Sequence, residues 1–210
     1  MSDNDINKML NENIAIEGSS PDQSKEDIQR YLEQKQAAYD ALEAGAEPVE
    51  RARLQLDVAE ALVGLGRSDE AWDKARTAMD TFIQHEMWQE AAESCDVLYQ
   101  TAQPASLIAL AHGVWLAVSF PVDPQLTVNL LGYVIDETPA TADGAAVAAI
   151  TAHYVADLRA KDDQHNSLTF LTKQMLANVA RDHSKVEDQE GLSAWMERLE
   201  LLAVAYPPLT

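Results

Sequence analysis

The uncharged stretch from Pro104 to Pro121 constrains the fold more than any other part of the sequence. On a helix drawn through it, apolar side chains occur on every side, with Leu107 and Val114 on one side and Trp115 on another. A helix that is apolar all round is normally buried. The sequence therefore predicts that this segment is a central core helix around which the rest of the chain packs.

A membrane span is the alternative for this stretch. The residues between the two prolines give about 24 Å of helix, whereas the hydrocarbon core of a bilayer is about 30 Å thick. Lys and Arg, which normally mark the cytoplasmic end of a span, are absent from both flanks. We therefore expect a buried helix and no membrane association.

The charge balance is strongly acidic. The chain has 15 Lys and Arg against 35 Asp and Glu, for a net charge of −20. Such a chain repels nucleic acids and anionic membranes. The long interval between Arg76 and Arg159 contains neither Lys nor Arg and carries ten acids. This imbalance serves simple solubility or steers the chain toward a partner with a basic surface, and the sequence leaves both readings open.

The ends of the chain and its single cysteine bear on organisation and location. Residues 1–23 are polar and acidic and are expected to form a flexible tail, although a short amphipathic run within them has the pattern of a docking segment. Residues 24–210 are expected to form one helical domain, divided into 24–101 and 102–210. The lone Cys95 and the polar N-terminus, which lacks a secretory signal, predict a cytoplasmic protein.

Helical periodicity continues along the domain. Nine helical patterns are joined by short turns, and no stretch favours a strand or hairpin. The class expected is all-α, a stack of antiparallel helix hairpins with about nine helices. Helices are expected to begin near Ser24, Pro48, Ser68, Met87, Ala105, Pro124, Thr141, Ser167 and Glu187. Ser68 and Asp123 are expected to act as N-caps.

One segment carries a family resemblance. The run from Val58 through Gly66 to Ala71, followed by Ala78, resembles a tetratricopeptide-like repeat, and the resemblance covers residues about 50–100. Trp88-Gln89-Glu90-Ala91-Ala92 is a second echo without the turn glycine. It follows after 20 residues instead of the family's period of about 34. The resemblance implies helix hairpins and a role in binding other proteins.

Catalytic and metal-binding patterns are not recognisable in the sequence. The five histidines do not form an i,i+4 pair of the helical zinc type, so neither a metal nor a cofactor is expected. The run from Asp162 to His165 is expected to be a solvated loop between helices. Cys95 lies between Glu93 and Asp96, whose charges disfavour a thiolate, and is expected to be an unreactive core residue.

The candidate partner-binding residues surround a helix junction. Trp88 follows that junction and is flanked by Glu86, Glu90 and Glu93, so an aromatic side chain framed by acids is available to anchor a basic segment. We therefore expect a non-enzymatic protein–protein interaction module that acts as an adaptor, accessory subunit or assembly chaperone. Homo-oligomerisation is also compatible with the large apolar content.

A second hypothesis places a ligand pocket beside the central helix. His112 is the only ionisable side chain of that helix, and Trp115 is close to it in the sequence. His112 is either a neutral core histidine or a ligand-binding group. The alternative function is accordingly a small-molecule or cofactor-binding regulatory domain.

Overall fold

The computed structural model describes residues 21–43 and 45–205, with side chains from 24 to 199 except residue 44. The described residues form nine helices and no strand, which confirms the all-α prediction. The first five helices are α1 (Pro21–Asp40), α2 (Pro48–Gly64), α3 (Ser68–Gln84), α4 (Trp88–Gln100) and α5 (Ser106–Ser119). The remaining four are α6 (Pro124–Glu137), α7 (Asp143–Arg159), α8 (Asp162–Ser184) and α9 (Gln189–Ala205). The amphipathic run expected in the N-terminal tail lies outside the described residues.

Several helix starts follow from local chemistry. The Asp123 carboxylate accepts hydrogen bonds from the backbone N–H groups of Gln125 (2.8 Å) and Leu126 (3.3 Å), which confirms the predicted N-cap of α6. Pro48 and Pro124 each occupy the first turn of their helix, where no intrahelical N–H bond is lost.

Two predicted helix starts and one predicted N-cap are wrong. Helix α1 begins at Pro21 instead of Ser24, because proline is well tolerated at the first helical position. Helix α8 begins at Asp162 instead of Ser167, and its two leading aspartates favour a helix N-terminus. Ser68 is the first residue of α3 and makes no side-chain cap.

Consecutive helices pack against each other as hairpins. Helices α1 to α4 pack in chain order, α2 also contacts α4, and α6, α7 and α8 pack in the same sequential way. This arrangement confirms the predicted stack of helix hairpins. The described residues fall into two compact units that meet in sequence within α5, one ending at Leu116 and the other beginning at Ala117.

Small residues allow the helices of the first unit to approach closely. Ala71, Ala75 and Ala78 are fully buried along one face of α3, together with Phe82. This is the stripe that the periodicity of the sequence indicates. Alanine has no side-chain entropy to lose on burial, and its size permits close helix packing.

The second unit repeats this use of alanine. Ala145, Ala146 and Ala149 of α7 pack with Leu176 of α8 and with Trp195, which is 1% exposed. The Trp195 indole N–H donates to Nδ1 of His183 (3.3 Å), whose Nε2 lies 3.0 Å from Asp143 Oδ1. Because Nδ1 accepts this bond, the ring proton is on Nε2 and is donated to Asp143. Helices α7, α8 and α9 are therefore joined by one hydrogen-bonded chain.

A single arginine caps the C-terminal end of α5. The Arg159 guanidinium donates to the carbonyl oxygens of Ala117 (2.7 Å), Val118 (2.9 Å) and Phe120 (3.2 Å). The last carbonyls of a helix have no partner within the helix and carry partial negative charge. Arg159 therefore stabilises this end of α5 from the last turn of α7.

The same turn motif closes α2 and α3. After α2, Gly66 adopts φ +73°, and the N–H groups of Gly66 and Arg67 donate to the carbonyls of Val63 and Leu62 (both 2.9 Å). After α3, the N–H of Glu86, at φ +58°, donates to Ile83 (3.2 Å), and Met87 N–H donates to Phe82. Both are Schellman turns, in which the left-handed residue is usually glycine. In the turn after α3, this left-handed position is occupied by Glu86 instead of a glycine.

Candidate functional site

Helix α5 is buried on one side only. Leu107, Ile108 and Trp115 are 56%, 62% and 59% exposed, whereas Leu110 and Leu116 on the opposite side are almost fully buried. The prediction that this helix is buried all round is therefore wrong. Because α5 is apolar all round, either of its faces could pack against other helices. The sequence of α5 does not show whether helices lie against both faces.

The exposed residues of α5 form a continuous surface, which we call the outer face of α5. It consists of Leu107, Ile108, Ala111, His112 and Trp115, all of which belong to the first unit and are exposed. Four of these, at positions 108, 111, 112 and 115, have the i, i+3, i+4, i+7 spacing that surrounds a hole in helix–helix packing. The face contains no Asp, Glu, Lys or Arg.

The exposure of His112 excludes one reading of this residue. The alternative in which it is a neutral core histidine is wrong, since the side chain lies at the surface. Two shallow cavities, of about 450 and 400 Å³, open at the surface of the described residues. Both lie against α1, and neither is lined by His112 or Trp115.

The residues around Trp88 are brought together only in part. Trp88 and Glu90 are half-buried in the first turn of α4. Glu86 occupies the left-handed position of the preceding turn, so its backbone has a structural role. Glu93 accepts hydrogen bonds from Arg53 and from Gln89 (2.9 Å), so its charge is already balanced within the chain. The grouping of these acids as a partner site stays a prediction.

An ion-pair network that sequence reasoning missed connects α1, α2 and α4. The buried carboxylate of Asp57 receives Lys35 Nζ (2.6 Å) and Arg53 Nε (3.3 Å), and Arg53 also pairs with Glu93. The two pairs that join helices, Lys35–Asp57 and Arg53–Glu93, are separated by 22 and 40 residues, whereas Arg53 and Asp57 are one turn apart on α2. Local spacing indicates only the Arg53–Asp57 pair, because the other two pairs depend on the hairpin stack that brings these helices side by side.

Glu60 lies one turn beyond Asp57 on α2 and adds a further carboxyl group beside this network. The pKa of Glu60 is raised to about 7, chiefly because the surrounding protein buries the carboxyl group. The positive charge of Arg53 opposes this rise, and the negative charges of Asp57, Glu93 and Asp96 contribute to it. More than a third of the residue remains exposed, so water screens part of this effect.

Cys95 is a core residue, as predicted. It is fully buried, and its Sγ lies 3.4 Å from Sδ of Met79. Burial raises the pKa of the Cys95 thiol to about 12, and the charge of Asp96 adds to this effect. A buried thiol in this state is a poor nucleophile at neutral pH.

The run from Asp162 to His165 is not the loop that the sequence predicts. It forms the first turn of α8, and His165 Nε2 lies 3.1 Å from Asp157 Oδ1 of α7. Across residues 21–43 and 45–205, no group of three or more His, Cys, Asp or Glu side chains is placed to hold a metal ion. In the same ranges no helix combines the length and the apolar character needed to cross a membrane.

Comparison of the chain with known proteins identifies no similar protein. No family model matches the chain, and neither a curated protein nor a solved structure is significantly similar to it. The functional argument therefore rests on the surfaces described above.

Proposed function

We propose that this protein is a non-enzymatic interaction module, acting as an adaptor, accessory subunit or assembly chaperone for a protein with a basic surface. The outer face of α5 carries this proposal. Its three large apolar side chains together expose on the order of 300 Å² of apolar surface, comparable to the largest apolar patch of a typical monomer, which is often functional. Burying this surface would provide binding energy that the isolated chain leaves unused.

The charge distribution supports the choice of a basic partner. Helix α5 lies in the interval from Arg76 to Arg159, which contains ten acids and no intervening Lys or Arg, in a chain of net charge −20. A negative field of this extent accelerates encounter with a positive surface and opposes encounter with a negative one. We also propose that the acids around Trp88 contribute to this field instead of forming the contact surface.

The exposure of His112 and Trp115 favours a contact surface over a ligand pocket. Small-molecule sites are concave and enclose most of their ligand. The outer face of α5 is one side of a helix, a shape suited to pairing with another protein. The regulatory ligand-binding function is therefore the weaker alternative.

Affinity capture from the source cells tests the proposal. The tagged full chain is compared with the double variant Ile108→Ser/Trp115→Ser and with Leu158→Ser, a control on α7 whose parent side chain is 65% exposed. We expect a stoichiometric basic partner that is retained by the control, released by high salt and lost with the double variant. Circular dichroism verifies that each variant is folded. Absence of such a partner at both low and high salt would overturn the proposal.

A further inference from the structure

The geometry of the outer face of α5 points to a specific kind of occupant. We infer that this face receives an amphipathic helix of the partner protein, which inserts an apolar side chain over Ala111 and carries Lys or Arg along both borders of its apolar stripe. This inference rests on the proposed function, because it names the partner element that the interaction module would bind.

The shape of the face favours a helix. Ile108, Ala111, His112 and Trp115 surround one hole, and Ala111 contributes only a methyl group to its wall. A hole bounded by one small and three larger side chains accommodates a leucine or isoleucine knob from a facing helix. The 14 residues of α5 span about 21 Å, long enough to align with three to four turns of a partner.

Charge decides among the possible occupants. The outer face has no Asp, Glu, Lys or Arg of its own, so charges along the borders of a partner's stripe would meet chiefly the negative field of a chain of net charge −20. Lys and Arg at those borders are favoured, and they can lay their aliphatic stems along Leu107 and Trp115. Asp or Glu at the same positions would be repelled.

The same argument disfavours a second copy of this chain and a lipid surface. A self-complementary contact across α5 would bring together two chains of net charge −20, and this helix supplies no cation to offset the repulsion. Helices that lie on membranes have Lys or Arg on the polar side, whereas α5 has neither. Both occupants are therefore left as outcomes of the experiment.

The probe is a displayed library of helical peptides, each about 18 residues long. Each peptide has a fixed leucine stripe, and the border positions are randomised among Lys, Arg, Glu, Gln and Ser. Selection against the full chain is expected to enrich Lys and Arg at the borders. Enrichment of Glu, no preference at the borders, or failure to select any binder would overturn the inference.

The selected peptide is then synthesised with a fluorescent label, and its affinity is measured by anisotropy. Ala111→Leu is the decisive variant, because it adds apolar surface while filling the hole. We expect Ala111→Leu and Ile108→Ser each to weaken binding about tenfold or more. Leu158→Ser is expected to bind as the unmodified chain does. Equal or tighter binding by Ala111→Leu would show general stickiness and contradict the inference.

Two further measurements separate this inference from the proposed function. Sedimentation of the full chain detects self-association, and flotation with anionic or zwitterionic vesicles detects lipid binding. Either one, if abolished by Ala111→Leu, would assign the face to that occupant and overturn the inference. Capture of a basic partner that Ala111→Leu does not weaken would leave the proposed function standing and refute only the helix-binding surface. Failure of both the affinity capture and the peptide selection would refute the proposed function and the helix-binding surface together.

Discussion

The paired turns after α2 and α3 allow the cost of a left-handed residue to be measured in both directions within one protein. Gly66 and Glu86 occupy the same position of the same hydrogen-bonded turn, with φ values of +73° and +58°. A Cβ atom added at Gly66 would have no neighbouring heavy atom within 4 Å, so Gly66→Ala introduces no clash. The energetic effect of this substitution is therefore conformational.

The magnitude follows from two opposing contributions. A side chain in the left-handed region costs about 1–2 kcal/mol, and replacing glycine recovers about 0.4–1 kcal/mol by restricting the unfolded chain. Gly66→Ala should accordingly lower the free energy of unfolding by about 0.5–1 kcal/mol. Glu86→Gly reverses both contributions and should raise it by about the same amount.

Urea denaturation followed by circular dichroism measures both effects. Gly132→Ala is the control, because Gly132 lies within α6 and a Cβ added there would meet only Met175 Cε, at an ordinary contact distance of 3.7 Å. We expect the control to leave stability unchanged or slightly higher. If Glu86→Gly destabilises the protein, or if Gly66→Ala has no effect, the assignment of the two positions to one turn type is refuted.

Three other predictions concern groups with a single dominant interaction. Arg159→Met should lower the free energy of unfolding by about 2 kcal/mol, because it removes three hydrogen bonds to the end of α5. Arg181→Met removes one exposed 3.4 Å hydrogen bond and should have little effect in the same urea assay. Equal losses of stability in the two variants would contradict the capping role of Arg159. Cys95, with a pKa of about 12, should resist iodoacetamide at about pH 8 in the native protein and react after unfolding, and native labelling at the rate of a free thiol would disprove its burial. The pKa of Glu60 is raised in the folded state, so ionisation of this carboxyl costs stability at high pH, and the cost disappears below the ordinary carboxyl value of 4.5. Glu60→Gln should therefore raise the urea midpoint more at about pH 8 than at about pH 5, and the reverse order would show that the pKa is not raised.

The elements that sequence reasoning predicted are those set by local signals. Asp123 and Pro124 define the start of α6 by capping and by a fixed φ, and the alanine spacing of α3 correctly identifies its buried face. The left-handed Glu86 was not predictable, because the backbone hydrogen bonds of the turn to Ile83 and Phe82 hold a residue there whose own preference is different. The exposed face of α5 was missed for a related reason, since periodicity reports which side chains are apolar but not how many helices lie against them.

The candidate site could be predicted from the sequence only in part, for the same physical reasons. His112 and Trp115 were identified from their position on an uncharged helix, and the structure places both on one exposed face. In the network around Asp57, the Lys35–Asp57 and Arg53–Glu93 pairs depend on contacts between helices and have no local sequence signal. The network also shows that Glu93, chosen from the sequence as a partner-binding acid, has a partner within the chain.

Photo-crosslinking in the source cells tests the central claim most directly. A photoreactive amino acid replaces His112, at the middle of the outer face of α5, and in a second variant it replaces Leu158 on α7. We predict one dominant crosslinked protein with a basic surface at position 112, and no crosslink to that protein at position 158. No crosslink at position 112, or the same products at both positions, would contradict a partner-binding role for α5.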